Sequence, residues 1–521
     1  MNKKETKLKI PLKASHVARS SLIVAFFFGI DKLLGLIRQI VIGRQFGVSQ
    51  ELDAFNAANN LPDLLFAVIS GGALAIAFIP VLSATMEEKG REAAWELFSR
   101  VANWAFLITG LISIGILFFA NPIVKAEIGV VPGFTPELQD LVVDLMRYNL
   151  IATLIFSLSG LVIAGLQANQ HFLLPALAPV MYDVGQIFGA IFLAPSEGYQ
   201  ILGITLPAAG LGIHGLVYGV IIGAFLHLMV QIPGLIRFQF RWLPILGIKQ
   251  PELQQVARMM APRILTIGTF QLIFVMQDNL ASRLDIGSVT ALAYGWLIMQ
   301  VPETIIGTAI GTAILPTLSE FFAAGKEDQF EASVERAVRI LLALTIPIAI
   351  LMMVGIRPLV QIAFNFDPDG TELVVWAARA YLVGLVGHSL LEIGARAFYA
   401  RQNPRIPLLA ALISTASFFL LSIILFQPLG ASGIGLSNSV AFTVEALFLL
   451  FLLSRNFPRI IKQRKPLVRI TTGSVLGGLI TYGCLQFLPL GLFIGSIVAF
   501  SVGGMAILPF IWPELRQLSR L

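Results

Sequence analysis

Long apolar runs recur from one end of this chain to the other, and no other feature constrains its fold as strongly. A helix that crosses a bilayer needs about 20 mainly apolar residues. Fourteen segments meet that requirement: 19–43, 53–84, 95–120, 138–167, 172–194, 209–236, 256–282, 287–319, 337–364, 373–400, 406–427, 431–453, 468–489 and 491–512. Composition supports the same conclusion. Hydrophobic residues make up 56% of the chain and charged residues 13%, against roughly 25% charged in a soluble domain. Mean hydropathy is +0.83, and so much apolar surface must face lipid rather than one enclosed core. The expected fold class is an all-α polytopic membrane protein; soluble, secreted and disordered classes are excluded.

The first residues, MNKKETKLKIPLK followed by SLIVAFFFGI, imitate the front of a signal peptide. Asp31 and Lys32 stand where small residues would mark cleavage, so the segment is expected to be retained as the first span. Short cytoplasmic loops collect Lys and Arg, which tests the span count. With the N-terminus inside, 25 of the 36 Lys and Arg fall on the inner side and only Arg44, Lys125 and Arg283 on the outer side. A missed or invented span would scramble that alternation. An even number of spans with both termini cytoplasmic follows. The net charge of +6 is explained by this topology, and no nucleic-acid partner is expected.

A weak repeat appears at an offset of 232 to 240 residues: Leu61-Pro62-Asp63 echoes Val301-Pro302-Glu303, and Gln170 to Pro175 echoes Gln402 to Pro407. Six spans separate equivalent points, so the repeat is parallel. The expected architecture is a tail over 1–18, a lobe of helices 1–6 over 19–240, a second of helices 7–12 over 250–454, and helices 13–14 with the C-terminus over 466–521.

Charges inside a membrane are costly unless they meet a partner or a polar cavity, so they are functional candidates. Helix 1 carries Asp31, Lys32 and Arg38, and helix 2 carries Asp53 and Asp63. Lys32 and Arg38 are six residues apart and share a face only on a bent helix; Gly29, Gly35 and Gly43 offer the bend. Helix 7 carries Arg258, Arg263 and Asp278, and helices 8 and 10 carry Glu303, Glu392 and Arg396. Glu392 and Arg396 are spaced i,i+4 and can neutralise one another. The site set is therefore Lys32, Arg38, Arg263 and Arg396 as cations for substrate, with Asp31, Asp53 and Asp278 as charge partners. Small or kinking residues that allow close packing or hinging are Gly35, Gly71, Gly72, Pro302, Gly307 and Gly311. Arg147, Arg357 and Arg379 lie near helix ends, where they can snorkel.

Other chemistries find no support in the residues. The single cysteine, Cys484, permits no internal disulfide, and the five histidines form no metal box. Asp367-Pro368-Asp369-Gly370 lacks the carboxylates of a calcium loop and reads as a turn. No Walker loop is present. No metal, cofactor or ATPase activity is expected, and uphill work would draw on an ion gradient, the membrane potential or consumption of the product.

Residues 33–65, LLGLIRQIVIGRQFGVSQELDAFNAANNLPDLL, followed by GGALAIAFIPVLS, resemble the first helices of the MurJ (MviN) lipid II flippases of the multidrug/oligosaccharidyl-lipid/polysaccharide exporter superfamily. QANQHFLLPALAP, IIGTAIGTAILPTLS and RAFYARQNPRIP continue the resemblance in order. It implies two lobes around a cationic cavity and alternating access that carries an undecaprenyl-pyrophosphate-linked peptidoglycan precursor to the outer leaflet of a bacterial plasma membrane. Enzymes of cell-wall synthesis become candidate partners, alongside membrane lipids. Arg38 matches the family's helix 1 arginine and Asp53 the aspartate opening helix 2. Lys32, Phe66 and Leu297 stand at positions where the family often has arginine. Helix 11 offers hydroxyls without a carboxylate, so no sodium site is assigned.

Arginines can bind diphosphate oxygens bidentately, which suits such a cargo. The competing readings are another lipid-linked oligosaccharide, a drug-cation exporter, a membrane glycosyltransferase and a non-transporting scaffold. The surplus of Lys32, Arg38 and Arg263 opposes the exporter, and short outer loops poor in paired acids oppose the glycosyltransferase.

Overall fold

The computed structural model describes residues 14–69, 73–201, 203–247, 249–460 and 462–518. The fold is all-α and polytopic. Its helices are α1 (Ala14–Phe46), α2 (Gln50–Ile69), α3 (Ala73–Lys125), α4 (Pro136–Ala168), α5 (Leu173–Phe188), α6 (Ile213–Met229), α7 (Ile232–Arg237) and α8 (Pro251–Ala281). They continue with α9 (Ser288–Glu303), α10 (Ala309–Ala323), α11 (Glu327–Phe364), α12 (Pro368–Val383), α13 (Leu385–Ala400), α14 (Arg405–Ser454), α15 (Arg464–Phe487) and α16 (Leu492–Leu515). Among the described residues, nine helical stretches are long and apolar enough to cross a membrane. A two-residue β-ladder pairs Gln200–Ile201 with Ile204–Thr205 in the connection before α6.

The helices do not match the expected spans one for one: two pairs of successive spans run on as one helix, and two spans are divided. α3 joins two helices across Gly90, whose φ of 87° lies in the region that favours glycine, and α14 does the same across Gly430 at φ 58°. The eighth expected span is α9 and α10 joined by a π-helical turn, Thr304–Thr308. The tenth divides at Gly384 into α12 and α13. Asp367-Pro368-Asp369-Gly370, expected as a turn, starts a helix: Asp367 is the N-cap of α12, its carboxylate accepts from Gly370 N at 3.3 Å, and Pro368 follows in the first turn.

Two compact units are present. The first comprises Met1–Gln45, Leu61–Ala120 and Asp144–Leu265; the second comprises Phe46–Asn60, Asn121–Val143 and Thr266–Leu521. In the first unit Phe78, Leu82, Leu97, Phe98, Leu161 and Leu166 are buried together, while Leu111, Phe118 and Phe119 on α3 face outward, as lipid contact requires. Glycine lets α5 and α6 touch backbone to backbone: a Cβ on Gly185 would come within 2.3 Å of Gly223 Cα, and one on Gly189 within 2.6 Å of Gly219 Cα. The second unit has its own core, in which Leu341 and Ile393 share one cluster with Ile470 of α15 and Ile507 of α16. Helices α15 and α16 both pack on α11.

Candidate substrate-binding site

In the first unit, α1 presents its charges as one unbroken helix. The bend that would bring Lys32 and Arg38 to one face is not needed, because the two side chains have different surroundings. Lys32 is well exposed; it pairs with its neighbour Asp31 at 3.3 Å and lies 5.0 Å from the centre of the Phe28 ring. Arg38 turns instead to α5, where Nη1 donates to Asp183 at 2.7 Å. Asp183 is nearly enclosed, at 5% side-chain exposure, and Arg38 is at 19%. Tyr182 adds a ring 5.9 Å from the Arg38 guanidinium, and Asp63, exposed on α2, is within electrostatic range of Arg38. Gly35 lies beside the pair, and a Cβ there would make only an ordinary contact, 3.6 Å from Asp183 Oδ2. Arg263 lies in α8, with its side chain outside the described residues, as are Gly71 and Gly72.

Asp183 was absent from the expected set, although an isolated carboxylate in an otherwise apolar helix signals a membrane-embedded charge. Phe66, at a position where the resemblance implies arginine, packs edge-on against Phe156 with ring centres 4.8 Å apart.

The second unit gathers charges around the π turn. Arg396 pairs with Glu392 one turn back on α13, as the i,i+4 spacing suggests, and donates to Thr312 Oγ1 at 3.2 Å. Glu303, next to Pro302 at the end of α9, accepts from the Thr308 hydroxyl at 3.1 Å. A Cβ at Gly311 would stand 2.9 Å from Arg396 Nη1, and one at Gly307 would stand 2.9 Å from both Glu303 Oε1 and Ser389. Gly307 thus lets the π turn lie against the backbone of α13 at Ser389. A π turn leaves one residue out of step in the ladder and often marks a functional position.

Asp53 and Asp278 have uncharged partners, where the sequence suggested cations. Asp53 is 2% exposed and accepts from Gly287 N at 2.6 Å and Thr290 N at 2.7 Å. It thus caps the start of α9 from another helix, satisfying N–H groups that the helix itself leaves free. Asp278 accepts from the Asn60 amide at 2.5 Å. Asp53→Ala is expected to destabilise the protein by about 2 kcal/mol through the lost charge-assisted cap, read as a lower melting temperature in detergent, with Asp53→Asn milder. A melting temperature unchanged in Asp53→Ala would contradict the capping role.

Beyond the spanning segments, Lys89 donates to the Glu252 carboxylate across the first unit. That hydrogen bond raises Lys89 above its ordinary range and holds Glu252 below its own. The contact weakens only when acid protonates Glu252 or strong base deprotonates Lys89, so it is present throughout the neutral range.

The family model described as "Lipid II flippase MurJ" matches residues 42–503. The chain belongs to the MurJ family of lipid II flippases. A MurJ of Burkholderia cenocepacia, named a lipid II flippase, is 31% identical over 447 residues, covering 83% of each chain. A MurJ of Bdellovibrio bacteriovorus, named a probable lipid II flippase, is 26% identical over 477 residues, covering 89% of this chain and 86% of the relative. A solved MurJ structure in an inward closed conformation has a TM-score of 0.76 at 22% identity, covering 95% of this chain and 99% of that one. An inward-facing multidrug resistance transporter of the MATE family in the MOP superfamily gives 0.70 at 15% identity, over 84% of this chain and 96% of its own. At these identities the two structures show the fold alone. The resemblance drawn from the helix 1–2 residues and the match spanning most of the chain name the same family.

Proposed function

We propose that this chain moves lipid II, a polyprenyl-pyrophosphate-linked peptidoglycan precursor, from the inner to the outer leaflet of the bacterial plasma membrane by alternating access, with both termini cytoplasmic. The observation that carries this reading is the family match over 42–503. The residues support it chemically. Arg38 and Arg396 are arginines inside apolar helices, each held by a carboxylate, Asp183 and Glu392. A buried guanidinium without a partner is costly, so such pairing keeps it in place until an anionic headgroup arrives. The diphosphate then competes with the carboxylate for the guanidinium, offering more oxygens and bidentate geometry. Lys32, exposed beside Asp31, supplies a further cation on α1. Movement of net negative charge outward is favoured by an inside-negative potential, by about 2.3 kcal/mol per charge per 100 mV, and the chain needs no nucleotide hydrolysis for it.

The test is complementation. Cells depleted of their own lipid II flippase, supplied with this gene, should resume growth and regain lipid II on the outer leaflet, measured by labelling accessible lipid II. Failure to restore outer-leaflet lipid II with the protein correctly inserted would rule out this cargo and turn attention to another lipid-linked oligosaccharide.

A further inference from the structure

Between α14 and α15 the sequence RNFPRIIKQRKPLVR, residues 455–469, holds six cations and no acid. We propose that this connection is a docking surface for the headgroups of anionic phospholipids, in the inner leaflet under the orientation given above.

The connection is held in one shape from within. Phe457 and Ile460 are buried in the core of the second unit, at 5% and 0% exposure, and the Arg401 guanidinium lies 5.4 Å from the Phe457 ring centre. The backbone N–H of Arg459 donates to the Glu331 carboxylate at 2.7 Å. The Gln463 amide donates to Arg459 O at 3.3 Å and to Glu335 at 3.4 Å. With apolar side chains and backbone tied inward, the cations are turned outward, so little ordering remains to be done when a ligand binds.

Arg455 lies over the Phe451 ring, and the other five cations divide into two groups. Arg459 and Arg469 have carboxylate partners, Glu331 at 3.7 Å and Glu514 at 2.5 Å. Lys462, Arg464 and Lys465 are exposed and, among the described residues, have no carboxylate within ion-pair distance. Three uncompensated like charges within four residues repel one another, and that repulsion is relieved by an anionic surface.

Their level along the helices identifies that surface. Just before the connection, α14 exposes Leu447 and Phe451, with Arg455 5.1 Å from the Phe451 ring centre. Just after it, α15 exposes Leu467 and Val468. At the matching end of α16, Trp512 is exposed with Arg516 5.5 Å from its ring centre. Outward apolar side chains giving way at once to aromatic rings and then to cations are the pattern of the boundary between acyl chains and headgroups. A ligand there must combine an anionic head with an apolar body, which a phospholipid does and a soluble phosphate does not.

The experiment titrates the purified full chain, in a neutral detergent, with short-chain phosphatidylglycerol, with phosphatidylcholine of the same chain length, and with inorganic phosphate. Thermal stability and native mass are followed. Phosphatidylglycerol should raise the melting temperature and remain bound, and the other two should not. K462Q/R464Q/K465Q should bind phosphatidylglycerol on the order of tenfold or more weakly, whereas K462R/K465R should bind it as the wild type does. An unchanged phosphatidylglycerol response in the triple variant, an equal response to phosphatidylcholine, or a shift reproduced by phosphate alone would each overturn the proposal. The titration reads headgroup charge without reference to cargo, so its failure is separate from failure of the flippase reading.

Discussion

Replacing Arg38 with alanine should cut outer-leaflet lipid II by about 10- to 100-fold, because a hydrogen-bonded charge contact is worth roughly 1.5–3 kcal/mol. The single substitution also strands Asp183, which is 5% exposed, and an uncompensated buried carboxylate costs about 3 kcal/mol. Loss of stability and loss of function would then coincide. Arg38→Ala combined with Asp183→Asn separates them: the pair is removed together, so the melting temperature should return close to wild type while transport stays low. Asp183→Asn alone frees Arg38 for the cargo and should keep transport well above that of the double variant. Arg357→Ala supplies the control. Its partner is Glu372, and the two side chains are 54% and 40% exposed, the setting in which an ion pair contributes about 0–1 kcal/mol. Equal transport by the Arg38/Asp183 double variant and by Arg357→Ala would defeat the assignment of Arg38 to the cargo.

What was legible in the sequence and what was not follows from the range of each interaction. Apolar run length is local, so the helices could be placed, and the Glu392–Arg396 pair is local too, one turn apart on α13. The breaks at Gly90, in the charged stretch EEKGRE, and at Gly430, just after Pro428, were legible too, since both lie between expected spans; each takes a positive φ. Breaks inside a span are harder to read. The π turn at Thr304–Thr308 lies with Gly307 against Ser389, a residue distant in the chain. The partner of Arg38 lies 145 residues away, and that of Asp53 more than 230 away. An aspartate near the start of a helix reads naturally as serving its own helix or a nearby cation, and here it serves α9. Asp183 and Glu514 carried a usable signal, since both are isolated acids in apolar surroundings, but only the fold says which cation each meets.

Glu514→Ala should be the most destabilising single change in the second unit. Its carboxylate is fully buried and accepts from Arg469 with both oxygens, each at 2.5 Å, while Arg339 approaches at 3.5 Å. One carboxylate thereby ties α11, α15 and α16 together. Without it Arg469 loses its carboxylate and Arg339 keeps only Glu335 at 3.8 Å, beside the core that contains Ile470, Ile507 and Ile511, at a cost of about 3 kcal/mol. Glu514→Gln keeps an acceptor and loses the charge, so its melting temperature in detergent should fall between those of Glu514→Ala and wild type. Arg469→Ala should be milder than Glu514→Ala, because Arg339 remains to meet the carboxylate and Arg469 is itself 38% exposed. A Glu514→Ala protein as stable as wild type would mean that apolar packing alone holds these helices. The ranking also bears on what α15 and α16 are: read from the sequence as additions to a twelve-helix body, they share its buried core and its ion pairs, so loosening them should lower the stability of the whole second unit in one transition rather than release a separate pair of helices.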